Sequence, residues 1–189
     1  LILLRKKISE KNKIPPFVIF QDSMLESMCK NYPTSNEELS NINGISKGKA
    51  EKYGELFISK ILEFVEKNSI RKNKNFKIKS NIIKPSLKVF MIQQIDKKTA
   101  FEDIANIKNI SFEEVINEIE KIIESGTKLN IDYQIDNILS DDDQEELYEY
   151  YLNEAEDDSI ESAKKYFEES YEEIELRIMR IKFLSDLAN

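Results

Sequence analysis

The chain has 189 residues, 40% apolar and 34% charged, with 28 Lys and Arg against 36 Asp and Glu for a net charge of −8. It has no histidine and one cysteine, Cys29, which excludes Ser-His and Cys-His nucleophile pairs, an internal disulfide framework and any zinc site built on several thiolates. No run of about 18 apolar residues occurs, so no membrane span is expected. In the opening "LILLRKKISEKNK" the apolar stretch precedes the charges, the reverse of a secretory signal.

The charge is unevenly placed. Residues 1–79 hold 16 Lys and Arg against 9 Asp and Glu, and residues 80–189 hold 12 against 27. A basic half that meets a polyanion and an acidic half that does not is the expectation. The chain opens on Leu1 rather than methionine, which points to a piece of a longer protein, and with no span or secretory signal it is expected to be soluble and intracellular.

In chain order, Leu1, Leu4 and Ile8 repeat at helical spacing, with Arg5, Lys6 and Lys7 between them. Pro15 and Pro16 in "IPPFVIFQD" predict an extended segment. From such a segment Phe17, Ile19 and Phe20 do not all face inward, leaving a ring to stack on an unpaired base; the alternative is that all three are core. "DSMLESMCKN" predicts a short helix with Ser23 and Glu26 in capping-box register, and "SNEEL" repeats the device with Ser35 and Glu38. A longer helix is expected from Ser46, burying Ala50, Tyr53, Phe57, Ile61 and either Phe64 or Val65.

Three of the four glycines fall in "INGISKGKAEKYG", together with Lys47, Lys49 and Lys52. Gly44 suits a tight turn and Ser46 a helix cap, and the amides from Gly44 through Ile45 and Ser46 to Lys47 suit an anion at a helix start. A plain capped turn between helices has the same pattern, so both readings stand at this point.

Residues 69–84 read as an extended basic linker, either a solvated tether or one that also touches phosphates. Three helices follow over 85–125, and Gly126 suits a helix stop. "LNIDYQID" then alternates Leu129, Ile131, Tyr133 and Ile135 with polar residues and predicts a strand, the small wing of a helix-turn-helix unit. Residues 141–189 predict an acidic helical tail in which Ile174, Ile178, Ile181 and Leu184 bury a stripe. Asp141, Asp142 and Asp143 lack the spacing of a calcium loop and read as a helix start rather than a metal site.

From Leu4 to Ile61, the double proline, "VIFQD", "YPTSNEEL" and "INGISKGKAEKYG" occur in the order of the HRDC domain, which this half closely resembles. The resemblance implies a small helical bundle, of five helices, that binds single-stranded DNA weakly and without sequence preference. It places the family's strand-contacting aromatic on Phe17 and its basic turn positions on Lys49 and Lys52. Tyrosine is common in relatives where Phe17 stands, glycine where Ser46 stands and a basic residue where Gly48 stands. "TAFEDIANIKNISFEEVINEIEKIIESG" looks like the helix-turn-helix domain of some bacterial RecQ helicases, and the pair resembles the C-terminal end of that family.

The expected fold is therefore mainly α: an HRDC-type five-helix bundle (1–68), the linker (69–84), a helix-turn-helix domain with at most one short β wing (85–140) and the tail (141–189). The resemblance implies a C-terminal region without an active site or cofactor of its own, in a parent ATP-dependent 3′–5′ DNA helicase using ATP and Mg. It implies a bacterial, nucleoid-associated cytoplasmic setting and single-stranded or partial-duplex DNA as partner. The acidic half is left to the helicase core or another protein. The alternatives are a protein-interaction scaffold and an RNA-processing accessory of RNase D type.

Overall fold

The computed structural model describes residues 1–70 and 85–187, which fall into two compact units divided between residues 70 and 85. Most of the expected basic linker, and residues 188 and 189, lie outside the described residues.

The first unit has five helical elements: α1 (Ile2–Asn12), α2 (Pro16–Ile19), α3 (Asp22–Asn31), α4 (Asn36–Ser40) and α5 (Lys47–Lys67). The double proline starts a helical turn rather than extending the chain. Pro15 is the N-cap and Pro16 the first helical residue, where proline's missing N–H is not needed. A single turn points its side chains in every direction, and this one is embedded: Phe17, Val18, Ile19 and Phe20 are all buried. The Phe20 ring meets Phe57 of α5 edge-on at 4.9 Å, joining the two ends of the core.

Arg5 is buried and anchors this turn. Its Nη1 donates to the Phe20 carbonyl at 2.6 Å and its Nη2 pairs with Asp22 at 2.6 Å. That pair sets the start of α3 at Asp22, an acid favoured by the helix dipole. Gln21 rather than Ser23 is then the N-cap, so the expected Ser23–Glu26 capping box does not form. At α4 the device does appear: Ser35 Oγ accepts from the Glu38 amide, while Glu38 Oε2 accepts from the amide and hydroxyl of Thr34.

Helix α5 buries Ala50, Gly54, Phe57 and Ile61. A Cβ on Gly54 would lie 2.6 Å from Leu39 Cδ2, so glycine permits the close packing of α4 on α5. Of the expected pair at the far end, Val65 is half-buried and Phe64 is 51% exposed.

The second unit opens with α6 (Pro85–Asp96), α7 (Phe101–Lys108) and α8 (Phe112–Glu124). Asn109, in the left-handed region, ends α7, and Ser111 with Glu114 forms a reciprocal capping box at α8. No strand occurs among the described residues. The expected wing is instead a loop and the helical turn α9 (Asp132–Ile135), because its polar groups bond elsewhere. The Leu129 amide and carbonyl both bond the Ser185 hydroxyl, Tyr133 Oη donates to the Thr99 carbonyl, and Gln134 Oε1 accepts from the Phe101 amide.

After α9 come α10 (Asp141–Glu149), a π-helical turn (Tyr150–Glu154), α11 (Ile160–Tyr166) and α12 (Glu173–Leu187). Ser140 caps α10 by accepting from the Asp143 amide, so the aspartate run is a helix start. Residues 141–187 are not a separate tail. Ile178, Ile181 and Leu184 of the expected stripe are buried, and so are Leu176, Met179 and Phe183, so α12 is enclosed on most sides. It packs on α9, α10 and α11 and is bonded to α8 through Arg177.

Candidate nucleic-acid interface

The residues expected to meet a phosphate backbone surround the N-terminus of α5. Ser46 caps that helix by accepting from the Lys49 amide at 3.1 Å. The Lys47 and Gly48 amides occupy the first two helical positions, ahead of any intrahelical acceptor, at the positive end of a 21-residue helix. Gly48 is exposed, and a Cβ there would meet nothing within 4 Å, so the backbone is open to close approach. Lys47 and Lys52 are exposed and Lys49 is half-buried. The Lys52 ammonium lies 5.2 Å from the centroid of the Tyr53 ring, which holds it near the helix surface.

The other expected contacts have structural roles. Gly44 has φ +84°, and a Cβ there would collide with the Met24 methyl, so this glycine serves the turn and its packing. Ile45 is buried at 5% exposure, and its amide already donates to the Ile42 carbonyl at 3.1 Å. Phe17 is 3% exposed and presents no face to a base. The expectation of an exposed Phe17 is therefore corrected: α2 is a helical turn rather than an extended segment, and Phe17 on it is buried.

In the second unit, the third helix of the helix-turn-helix, α8, is engaged from within. Arg177 of α12 donates to Glu120 and to Asn117 Oδ1, the latter at 2.6 Å, and Glu118 pairs with Lys121. Glu113 and Glu114 are exposed at its start. No group of His, Cys, Asp or Glu able to hold a metal ion occurs among the described residues. No described helix is long and apolar enough to cross a membrane.

Residues 1–61 match the family model of the HRDC domain, and residues 85–135 match the RecQ-1-like helix-turn-helix domain. The ATP-dependent DNA helicase RecQ of Haemophilus influenzae is 43% identical over 60 residues, 32% of this chain and 10% of that protein. Its Bacillus subtilis counterpart is 39% identical over 59 residues, 31% of this chain and 10% of that protein. The ATP-dependent helicase wrn-1 of Caenorhabditis elegans is 25% identical over 142 residues, 68% of this chain and 13% of that protein. The chain thus spans about a tenth of the length of the curated relatives it matches. It is a RecQ-family C-terminal region, an HRDC domain followed in sequence by a RecQ-1-like helix-turn-helix domain.

Proposed function

We propose that the chain is an auxiliary nucleic-acid-binding region of a RecQ-type DNA helicase, and that its first unit holds single-stranded DNA weakly near the motor of the whole protein. The observation that carries this reading is the group of Lys47, Lys49 and Lys52 beside the open Gly48 backbone at the positive end of α5. Free amides, a helix dipole and three ammonium groups favour phosphates and carry no base-reading geometry, which fits weak, sequence-independent binding. ATP hydrolysis with Mg and strand separation then belong to the rest of the parent protein, in a bacterial cytoplasm at the nucleoid. The test is anisotropy of a labelled single-stranded oligonucleotide against the full chain and its Lys47→Ala, Lys49→Ala, Lys52→Ala triple variant. Lost binding with an unchanged melting temperature supports the reading; unchanged binding ends it. An RNA strand of the same length separates this role from RNA processing.

For the second unit, docking of the helicase body or a protein partner is the reading favoured over groove reading. Asn117 and Glu120 of α8 are already bonded to Arg177, and the helix start that a major groove would receive carries Glu113 and Glu114. Duplex DNA added to the full chain is expected to compete no better for binding than its charge alone allows.

A further inference from the structure

With Phe17 buried, a strand at the start of α5 has no stacking partner in α2. The exposed residues of α5 supply one. Lys52, Leu56, Lys60, Phe64 and Lys67, with the half-buried Lys49 before them, recur at three- and four-residue spacing and so share one face of the helix. From Lys49 to Lys67 this face runs about 27 Å. Leu56 is 56% exposed and Phe64 51% exposed, unusual for large apolar side chains on so charged a helix.

The Phe64 ring is set in a defined orientation. It stacks on Tyr32 with centroids 6.1 Å apart and an interplanar angle of 16°. The two rings are nearly parallel and offset, and Phe64 remains half-exposed, so its face is open in part to a further flat group. A cavity of about 340 Å³ lies beside it, lined by Leu1, Met28, Cys29, Tyr32, Lys60, Ile61 and Phe64. That is the size of a small-ligand site, with an aromatic wall and one ammonium group.

The neighbouring flank of α5 has the opposite character. Its groove against α4 is lined by Ser35, Asn36, Glu51, Glu55, Leu62 and Glu66, among others, so it repels a polyanion. Glu63 falls on the lysine face itself and pairs with Lys60 at 2.6 Å. With Lys60 offset by Glu63, Lys49 and Lys52 leave the face net positive between the helix start and Phe64.

We infer that single-stranded DNA entering at Lys47–Lys52 continues along this face of α5, and that Phe64 stacks one of its bases over the Tyr32-backed cavity while Lys60 meets an adjacent phosphate. This rests on the strand-holding reading of the first unit and adds to it a base-contacting residue and a path. Stacking on an aromatic face is sequence-tolerant, which suits weak, non-specific holding.

The chain has no tryptophan, so Phe64→Trp creates a single indole reporter that keeps the stacking face. Titrating this full-chain variant with an unstructured oligothymidylate is expected to quench its fluorescence with the midpoint seen by anisotropy. Phe64→Ala is expected to weaken binding about tenfold, the loss of one stacked base, while Phe64→Tyr keeps it. The half-exposed position leaves folding intact in these variants, which thermal melts verify. An unquenched indole with wild-type affinity in Phe64→Ala, while the lysine triple variant loses binding, overturns the platform and leaves strand holding in place. A wild-type chain that binds no strand overturns both.

Discussion

Arg177 donates through Nε and Nη2 to both carboxylate oxygens of Glu120, at 3.0 and 2.6 Å, and so clamps α12 to α8. The two side chains are only 11% and 16% exposed, and Arg180, itself paired with Asp158, approaches the same carboxylate. This is a mostly buried, bidentate network, and removing one member strands the others without water. Glu120→Ala or Arg177→Ala is expected to destabilise the second unit by about 3–5 kcal/mol, read as a lowered urea midpoint. A loss under about 1 kcal/mol would mean the pair behaves as a surface ion pair.

Phe17→Ala separates a core role from a strand-contacting one. Burial at 3% exposure gives an expected cost of about 3–5 kcal/mol, with unchanged strand affinity for the protein that remains folded. A full-stability variant that has lost binding would return Phe17 to the interface.

The two glycines flanking the α5 cap are expected to respond in opposite ways. Gly44→Ala places a Cβ against Met24 at φ +84° and is expected to cost about 1–3 kcal/mol in thermal melts. Gly48→Lys meets open space and adds one phosphate contact. It is expected to tighten single-strand binding and steepen the salt slope by about 0.7.

Stability should be flat from mildly acidic to mildly alkaline pH, because the chain has no histidine. On the acid side, the Ser140 and Tyr171 hydroxyls hold Asp143 below the usual carboxylate value of 3.8, and Lys164 holds Glu173 below 4.5. Depressed carboxylates contribute stability above those values and lose it as pH falls through the lower folded ones. On the alkaline side, burial pushes the Tyr133 hydroxyl from 10.0 to about 12, and Tyr151 also rises. A raised phenol contributes fully below pH 10 and loses that contribution as pH rises towards 12. Alkaline denaturation should therefore begin in the second unit, and Tyr133→Phe should flatten the dependence between those limits. A melting temperature constant from pH 9 to 12 would contradict this.

What the sequence made legible was governed by local rules. The Ser35 and Ser46 caps and the helix from Asp22 to Asn31 depend on near neighbours, and they stand where the pattern placed them. The failures came from distant partners. Alternation from Leu129 to Ile135 resembles a strand, but Ser185, Thr99 and Phe101 take its polar groups from 33 to 56 positions away. Helix α12 read as an amphipathic tail because its Ile174, Ile178, Ile181 and Leu184 stripe was visible, whereas burial on its other sides, Arg177 included, depends on distant elements. At the α5 start, the exposure of Lys47, Lys52 and Gly48 followed the pattern, whereas the burial of Phe17 depended on α2 forming a helical turn. Phe64 was visible in the sequence but was grouped, as the alternative to Val65, with the expected buried face of the helix.

The central claim is that the α5 start holds a single strand through its phosphates. Its most direct test is the salt dependence of anisotropy for the full chain with a labelled single strand, with and without the Lys47, Lys49 and Lys52 substitutions. About three neutralised phosphates give an expected slope of log affinity against log salt near −2, falling towards zero in the triple variant. An affinity that is independent of salt, or a slope that survives removal of all three lysines, would contradict the account.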